Sequence, residues 1–238
     1  MCSQGQAKPL VASFQRRGEL KAGILYRIDE VGSLWHPRTE SGEVSIVQSS
    51  GEMRSRSASY EAVLAYLSET ERFAEKSIRS HTNPPRGIPS DDAKRLEATW
   101  RVPCADQLLA DSKSIRGHAS MRETYKAAFE DARKYVGVSE GDVKVSEEGR
   151  CYLETILLWV KKSPILGAQG YVGLAQGDVQ KGDLLALLQG CNAPYILRKR
   201  PLDKEIESYE LIGEAFIWGI MDGEYGPRDN EECIFDIS

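Results

Sequence analysis

The spacing of apolar residues divides the chain into two parts with different periods. Before residue 162 the apolar positions recur at helical spacing, and the clearest stripe runs from Tyr60 through Val63 to Leu67. Further stripes predict helices over 93–100, 121–136 and 152–160. An earlier segment, residues 20–32, mixes apolar and polar positions as a strand does, and 44–47 is a possible second short strand.

The predicted helix near residue 93 carries start and stop signals. Ser90 precedes it as a candidate N-cap, and acidic residues follow in its first turn. Its apolar face would consist of Ala93, Leu96 and Trp100. Pro103 is expected to end or kink it, because the proline ring blocks an earlier backbone carbonyl.

From residue 163 onward short apolar runs alternate with Gly, Asp and Pro, a pattern typical of strands joined by tight turns. The predicted strands are 165–166, 171–174, 184–188, 195–199, a long strand over 207–220 bent at Gly213, and 233–236. Both faces of the long strand are apolar, so other elements must cover it. The helices before it are the natural cover.

These patterns predict an α+β fold: a helical cluster packed on a small, strongly curved β-sheet or barrel formed mainly by the C-terminal third. Residues 1–162 would hold the first strand and the helices, and residues 163–238 the β region. We expect the two parts to form one integrated domain.

Composition narrows the class of protein. With 41% hydrophobic and 28% charged residues, the chain is typical of soluble globular proteins. The longest apolar runs, such as 184–188, are far too short to cross a bilayer. The first ten residues, MCSQGQAKPL, lack the apolar core of a secretory signal, which favours a cytosolic or nuclear protein, and we expect a cytoplasmic protein without a membrane span.

The net charge and the spacing of cysteine and histidine residues argue against further classes of protein. The formal net charge is −5, and residues 201–238 contain eleven acidic and two basic residues, which argues against nucleic-acid binding. The five cysteines and three histidines are scattered without metal-ligand spacing, so we predict no metal and no disulfide framework. No nucleotide-binding glycine pattern is present, and we expect no cofactor.

Arg198 and Glu214 are the most informative polar residues, because each interrupts an apolar strand. One interpretation is an ion pair that joins two strands. The other is a ligand pocket in which Trp218 shares the strand face of Glu214 and Tyr171 approaches from a neighbouring strand.

Two aspartates offer a weaker signal. Asp178 and Asp183 each follow a glycine at a turn, and this position predicts solvated side chains rather than a catalytic pair.

The order of motifs after residue 167 resembles the C-terminal half of fungal heterokaryon-incompatibility proteins. The matching blocks are GYVGL at 170–174, GD at 182–183, PYILR at 194–198, YELIGEAF at 209–216 and GIMDGE at 219–224. Weaker matches extend the resemblance over residues 18–236. Two positions depart from the family pattern: AQ at 175–176 replaces the usual Gly-Pro, and Pro103 interrupts a helix.

The resemblance implies a non-catalytic recognition or regulatory module whose partners are other incompatibility proteins or copies of itself. Residues 1–19 are too few to hold the family's N-terminal signalling domain, which resembles Toll/interleukin receptors. The alternative is a cofactor-independent, cyclase-type enzyme or binder in fungal secondary metabolism. It would hold an apolar small molecule at Tyr171, Arg198, Glu214 and Trp218. A truncated gene product is a third possibility. The sequence leaves catalysis and oligomeric state open.

Overall fold

The helices precede most of the sheet. The structure, a computed structural model, describes residues 18–36, 60–84, 87–110, 113–116, 122–136, 146–201, 208–221 and 232–237. The helices are α1 (Tyr60–Ser80), α2 (Asp92–Arg95), α3 (Ala98–Arg101), α4 (Arg122–Val136) and α5 (Glu147–Ile156), which continues into a 3₁₀ turn at Leu157–Trp159. The predicted strand at 44–47 lies outside the described residues.

The strands lie mostly in the C-terminal third. They are β1 (Gly18–Val31), β2 (Gln107–Ala110), β3 (Lys113–Arg116), β4 (Lys162–Gly167), β5 (Val172–Gln176), β6 (Leu184–Leu188), β7 (Pro194–Lys199), β8 (Ser208–Glu214), β9 (Phe216–Ile217) and β10 (Glu232–Ile237). Strands β2 and β3 pair only with each other, and the other eight form one sheet. The predicted α+β class is therefore confirmed.

The long strand β1 organises the sheet. Its first residues pair with β10, its middle pairs with β6, and its last residues pair with β4. The sheet order is β10-β8-β7-β6-β1-β4-β5-β9, and β10 contacts both β8 and β1. This double pairing brings the sheet back toward its own middle and curves it strongly. Strand β1 belongs to the first of the two predicted parts, yet its partners belong to the second.

Alternate residues of the strands enter two different cores, because successive side chains of a strand point to opposite faces. Ile165, Leu185 and Ile217 belong to one apolar cluster inside the curved sheet. Their neighbours Leu166 and Phe216 belong to a second cluster, which also contains aromatic side chains of α1, α4 and α5. The helices thus cover one face of β4, β5 and β9.

The helix near residue 93 differs from the prediction. It is split into α2 and α3, with Leu96 as the C-cap of the first piece. Asp91, not Ser90, caps α2 by accepting a hydrogen bond from the Ala93 amide at 2.9 Å. Leu96 is 38% exposed while Trp100 is buried, because the break at Leu96 ends the continuous helical spacing.

The predicted long strand is also divided. Strand β8 ends at Glu214 and β9 begins at Phe216. Opposite β7, Gly213 faces Ile196 and Leu211 faces Leu197, so the pairing slips by one residue close to the predicted bend. The β2–β3 hairpin was not predicted, because two strands of four residues carry too little periodicity.

Candidate functional site

The four side chains predicted to bind a ligand lie in separate environments. Tyr171, directly before β5, is fully covered, and its ring centroid lies 4.9 Å from that of Tyr26 inside the curved sheet. Its aromatic ring therefore contributes to the apolar interior. The other three residues each have a different charged or polar partner.

Arg198 is paired with Asp183, and the predicted ion pair between Arg198 and Glu214 is wrong. The guanidinium binds Asp183 with two bonds, Nε to Oδ1 at 2.9 Å and Nη2 to Oδ2 at 2.8 Å. It also donates to the Asp178 carbonyl. The hydrogen bond to Asp183 raises the pKa of Arg198, so the arginine stays charged. The pair fixes the β5–β6 loop against β7.

Asp183 is buried, contrary to the solvated position predicted for it. Only 4% of the residue is exposed. Its Oδ2 accepts the Gln180 backbone N–H at 2.7 Å as well as the Arg198 bond. Gly182 before it has φ +98, a left-handed conformation that glycine adopts readily, and the turn there brings Asp183 back over the sheet. These partners compensate the Asp183 carboxylate for the hydration that it loses on burial.

Glu214 is exposed at the end of β8, beside Tyr195 of β7. The Tyr195 hydroxyl donates to Glu214 Oε1 at 2.9 Å. Burial raises the pKa of Tyr195, and the hydrogen bond to the carboxylate raises it further. Burial lowers the pKa of Lys162, which starts β4, and the charge of Glu214 acts in the opposite direction. Tyr195 is therefore a stable hydrogen-bond donor at neutral pH.

Trp218 lies in the turn after β9 and not on the strand face of Glu214, because the strand is interrupted at Ala215. Its ring instead lies beneath the guanidinium of Arg101, 4.4 Å from ring centroid to Cζ. Such a geometry is a cation–π contact. Trp218 thus joins the turn after β9 to the C-terminal end of α3.

Arg101 is the centre of a buried charge group, which we call the Arg101 cluster: Glu97, Arg101 and Asp106. Nη1 donates to Glu97 Oε2 at 3.0 Å, and Nη2 donates to Asp106 Oδ2 at 3.0 Å. All three residues are at least 94% buried. Burial acts to lower the pKa of Arg101, but the hydrogen bonds and charges of Asp106 and Glu97 together outweigh it and raise that pKa.

The backbone after α3 is shaped to form this cluster. Ala105 and Asp106 have φ of 48 and 57, left-handed values that are uncommon for residues other than glycine. The Asp106 amide donates to the Arg101 carbonyl at 2.7 Å. The turn thereby folds the Asp106 carboxylate back onto the guanidinium five residues earlier. Aspartate tolerates this conformation better than most side chains.

Nothing in the Arg101 cluster is poised for chemistry, because its charged groups are covered and mutually paired. The nearby Cys104 thiol is also buried, and burial raises its pKa, so the reactive thiolate is not populated. Within the described segments, His, Cys, Asp and Glu side chains form no group of three suited to a metal ion.

Sequence reasoning missed a groove of about 580 Å³ between α1, α3 and α4. Leu96, Trp100 and Phe129 supply its apolar surface, and charged residues of α1 and α4 stand on its two sides. A smaller cavity of about 290 Å³ lies beside Trp35 and Tyr66. Neither cavity is lined by any of the four predicted ligand residues. The unexpected exposure of Leu96 is the feature that marks the groove.

Among the helices of the described residues, none is both long enough and apolar enough to cross a bilayer.

Comparison with known proteins identifies relatives of the C-terminal part. Residues 118–237, half of the chain, match the Het-6 beta-barrel domain. The chain is 30% identical to heterokaryon incompatibility protein 6, OR allele, of Neurospora crassa over 174 residues. That alignment covers 63% of this chain and 25% of the Neurospora protein, so the chain spans about a quarter of the length of this curated relative. No solved structure matches.

Proposed function

The chain belongs to the Het-6 beta-barrel domain family, and from this premise we propose that it is a non-catalytic recognition module in fungal heterokaryon incompatibility. The similarity to heterokaryon incompatibility protein 6 is the observation that carries the proposal. Its partners would be other incompatibility proteins or further copies of this chain.

The arrangement of charged groups supports a binding role over a catalytic one. The Arg101 cluster and the Arg198–Asp183 pair use their charges to hold segments together. A catalytic site instead needs a nucleophile, acid or base that converges on a reacting atom. The polar residues that the sequence singled out are spread over separate environments.

The alternative of a cyclase-type enzyme or binder in fungal secondary metabolism stays a prediction. It requires an enclosed apolar cavity beside Arg198, Glu214 and Trp218. The two cavities described above are lined by other side chains, so no specific observation favours this alternative.

The proposal is tested by expressing the tagged chain in Neurospora crassa that carries the OR allele of incompatibility protein 6. We expect the chain to co-precipitate with that protein or with a second, differently tagged copy, and to change the growth of heterokaryons formed between tester strains. The tag alone, at matched expression, is the control. The proposed function is refuted if the chain co-precipitates neither with incompatibility protein 6 nor with its own second copy and the heterokaryons grow normally.

A further inference from the structure

We propose that the groove between α1, α3 and α4 binds a peptide segment of a partner protein, with one large apolar side chain inserted and an acidic residue next to it. This inference rests on the proposed recognition function and names the site and the kind of partner. Three independent features of the groove specify that occupant.

The first feature is an exposed apolar floor. Leu96 is 38% exposed and lies in the same groove as the aromatic rings of Trp100 and Phe129. Partner side chains that fill such pockets supply most of the affinity at many protein interfaces. The groove volume of about 580 Å³ accommodates a large apolar side chain together with adjacent backbone.

The second feature is a pair of buried polar groups that lack partners. Thr99 Oγ1 and Trp100 Nε1 are enclosed, and neither has a hydrogen bond to any residue that the structure describes. Both residues line the groove and are more than nine-tenths buried. An indole N–H only donates, so it requires an acceptor such as a peptide carbonyl or a carboxylate. Leaving such a group unpaired is unfavourable, so an acceptor supplied by a partner is stabilised there.

The third feature is the charge on the rim. Arg133 binds Glu71 at 2.8 Å across the groove, and Arg79 binds Glu75 at 2.6 Å, so each of the two α1 acids that line the groove is paired with an arginine. Lys126 and Glu130 of α4 form no ion pair within the described part of the chain, whereas the charge of Lys134 acts on Asp131 and helps to lower its pKa, after the larger effect of the hydrogen bonds from Ser146. The Lys126 ammonium lies 5.9 Å from the Trp100 ring. An acidic residue of the peptide, next to the inserted apolar side chain, complements the positive charge of Lys126.

The shape of the groove favours a peptide over an enclosed small molecule. The groove is open to solvent along the helices, whereas small-molecule sites usually cover most of their ligand. A peptide needs only one apolar face in contact with a groove, and its backbone supplies carbonyl acceptors.

The test begins with selection of a phage-displayed peptide library on the full-length chain. We expect enriched peptides to place a Phe, Leu or Trp next to Asp or Glu. An enriched peptide is then labelled, and its affinity is measured by fluorescence anisotropy. Leu96→Asp and Lys126→Glu should each weaken binding about tenfold or more, a loss typical of a central interface residue.

Matched controls separate the groove from general surface effects. Leu158 is 51% exposed and lies outside the groove, so Leu158→Asp should leave peptide affinity unchanged. Lys181→Glu, in an exposed turn, is the corresponding charge control. The midpoint of urea unfolding of each variant checks that the fold is intact.

Trp100→Phe tests the hydrogen bond separately from the fold. It keeps an aromatic ring but removes the indole N–H, which has no partner among the described residues of the free chain. We expect a severalfold loss of peptide affinity in the folded protein, together with some loss of stability because the smaller ring leaves a cavity in the core. A purely structural role would reduce stability and leave the affinity of the folded fraction unchanged.

The proposal is overturned if no acidic, apolar peptide is enriched, or if Leu96→Asp binds enriched peptides as tightly as Leu158→Asp. The proposal is also overturned if decanoate binds in the groove and no peptide does, because the occupant would then be a small apolar acid. Continued co-precipitation of Leu96→Asp with incompatibility protein 6 would refute this site while leaving the proposed function standing.

Discussion

Two arginines, Arg101 and Arg198, hold the molecule together in different surroundings. The Arg101 side chain is 8% exposed and has two carboxylate partners and the Trp218 ring. The Arg198 side chain is 24% exposed and has one carboxylate partner, Asp183. A charge removed from water must be compensated by the protein, while a charge at the edge keeps part of its hydration. Of these two arginines, the more buried one has the larger number of partners.

The two arginines also connect different parts of the fold. Arg101 ends α3 and contacts Trp218 after β9, so its cluster spans the interface between the helices and the sheet. Arg198 lies in β7 and fixes a loop that belongs to the same sheet. Loss of the first should loosen the contact between helices and sheet, whereas loss of the second should affect one loop.

The largest effect is expected for Arg101→Met. This change leaves Glu97 and Asp106 buried without their cation, and breaking a buried ion pair in this way costs about 3–5 kcal/mol. Urea denaturation followed by circular dichroism measures the loss in the free energy of unfolding.

A triple variant tests the cause of that loss. Adding Glu97→Gln and Asp106→Asn to Arg101→Met removes every charge of the cluster, so most of the stability should return. Asparagine also tolerates the left-handed backbone at position 106. If Arg101→Met alone lowers the free energy of unfolding by less than about 1 kcal/mol, the deeper burial of Arg101 does not make its loss more costly than that of Arg198.

An intermediate effect is expected for Arg198→Gln. Asp183 loses its cation but keeps the Gln180 backbone N–H, and Arg198 is partly solvated, so we expect a loss of about 1–3 kcal/mol. The matched control is Arg200→Gln. Arg200 is exposed and lies 4.0 Å from Glu210, so its loss should cost under about 1 kcal/mol. Equal losses from both variants in urea denaturation would contradict the role assigned to Asp183.

The elements of the fold were predictable where the local pattern is strong. Strand β6 occupies the predicted residues 184–188, and α1 places Val63 and Leu67 in the core as their spacing predicts. Such signals need only neighbouring residues, because periodicity and turn chemistry are local properties. The heterokaryon-incompatibility resemblance likewise depended on short blocks in order, and the family match confirmed it.

The partners of the charged residues were not predictable from the same information. Asp183 follows a glycine in a turn and looks solvated, yet the loop places it under Arg198, fifteen residues later. Leu96 fits a helical stripe, yet the break between α2 and α3 exposes it. Both outcomes depend on where the chain is covered by distant segments, and a single sequence does not specify this.

The smallest effect on stability is expected for Glu214→Gln, which extends the comparison to an exposed acid. Because Glu214 is exposed, its hydrogen bond from Tyr195 should contribute under about 1 kcal/mol. The clearer change is in titration. Burial and the Glu214 carboxylate both raise the pKa of Tyr195, so Glu214→Gln should move that pKa part of the way back toward the usual value of about 10.

The sign of the pH dependence follows from this shift. Tyr195 keeps its proton in the folded protein while the unfolded chain ionises, so its contribution to stability is complete below about pH 10 and is lost as the pH rises further. The tyrosinate absorbance of each protein, compared with that of the same protein carrying Tyr195→Phe, isolates this one residue among ten tyrosines. An unchanged Tyr195 titration in Glu214→Gln would mean that the Glu214 carboxylate does not contribute to the raised pKa. The influence of a carboxylate on its partner would then be limited to the buried Arg101 cluster and the partly exposed Arg198, and would not extend to the exposed Glu214.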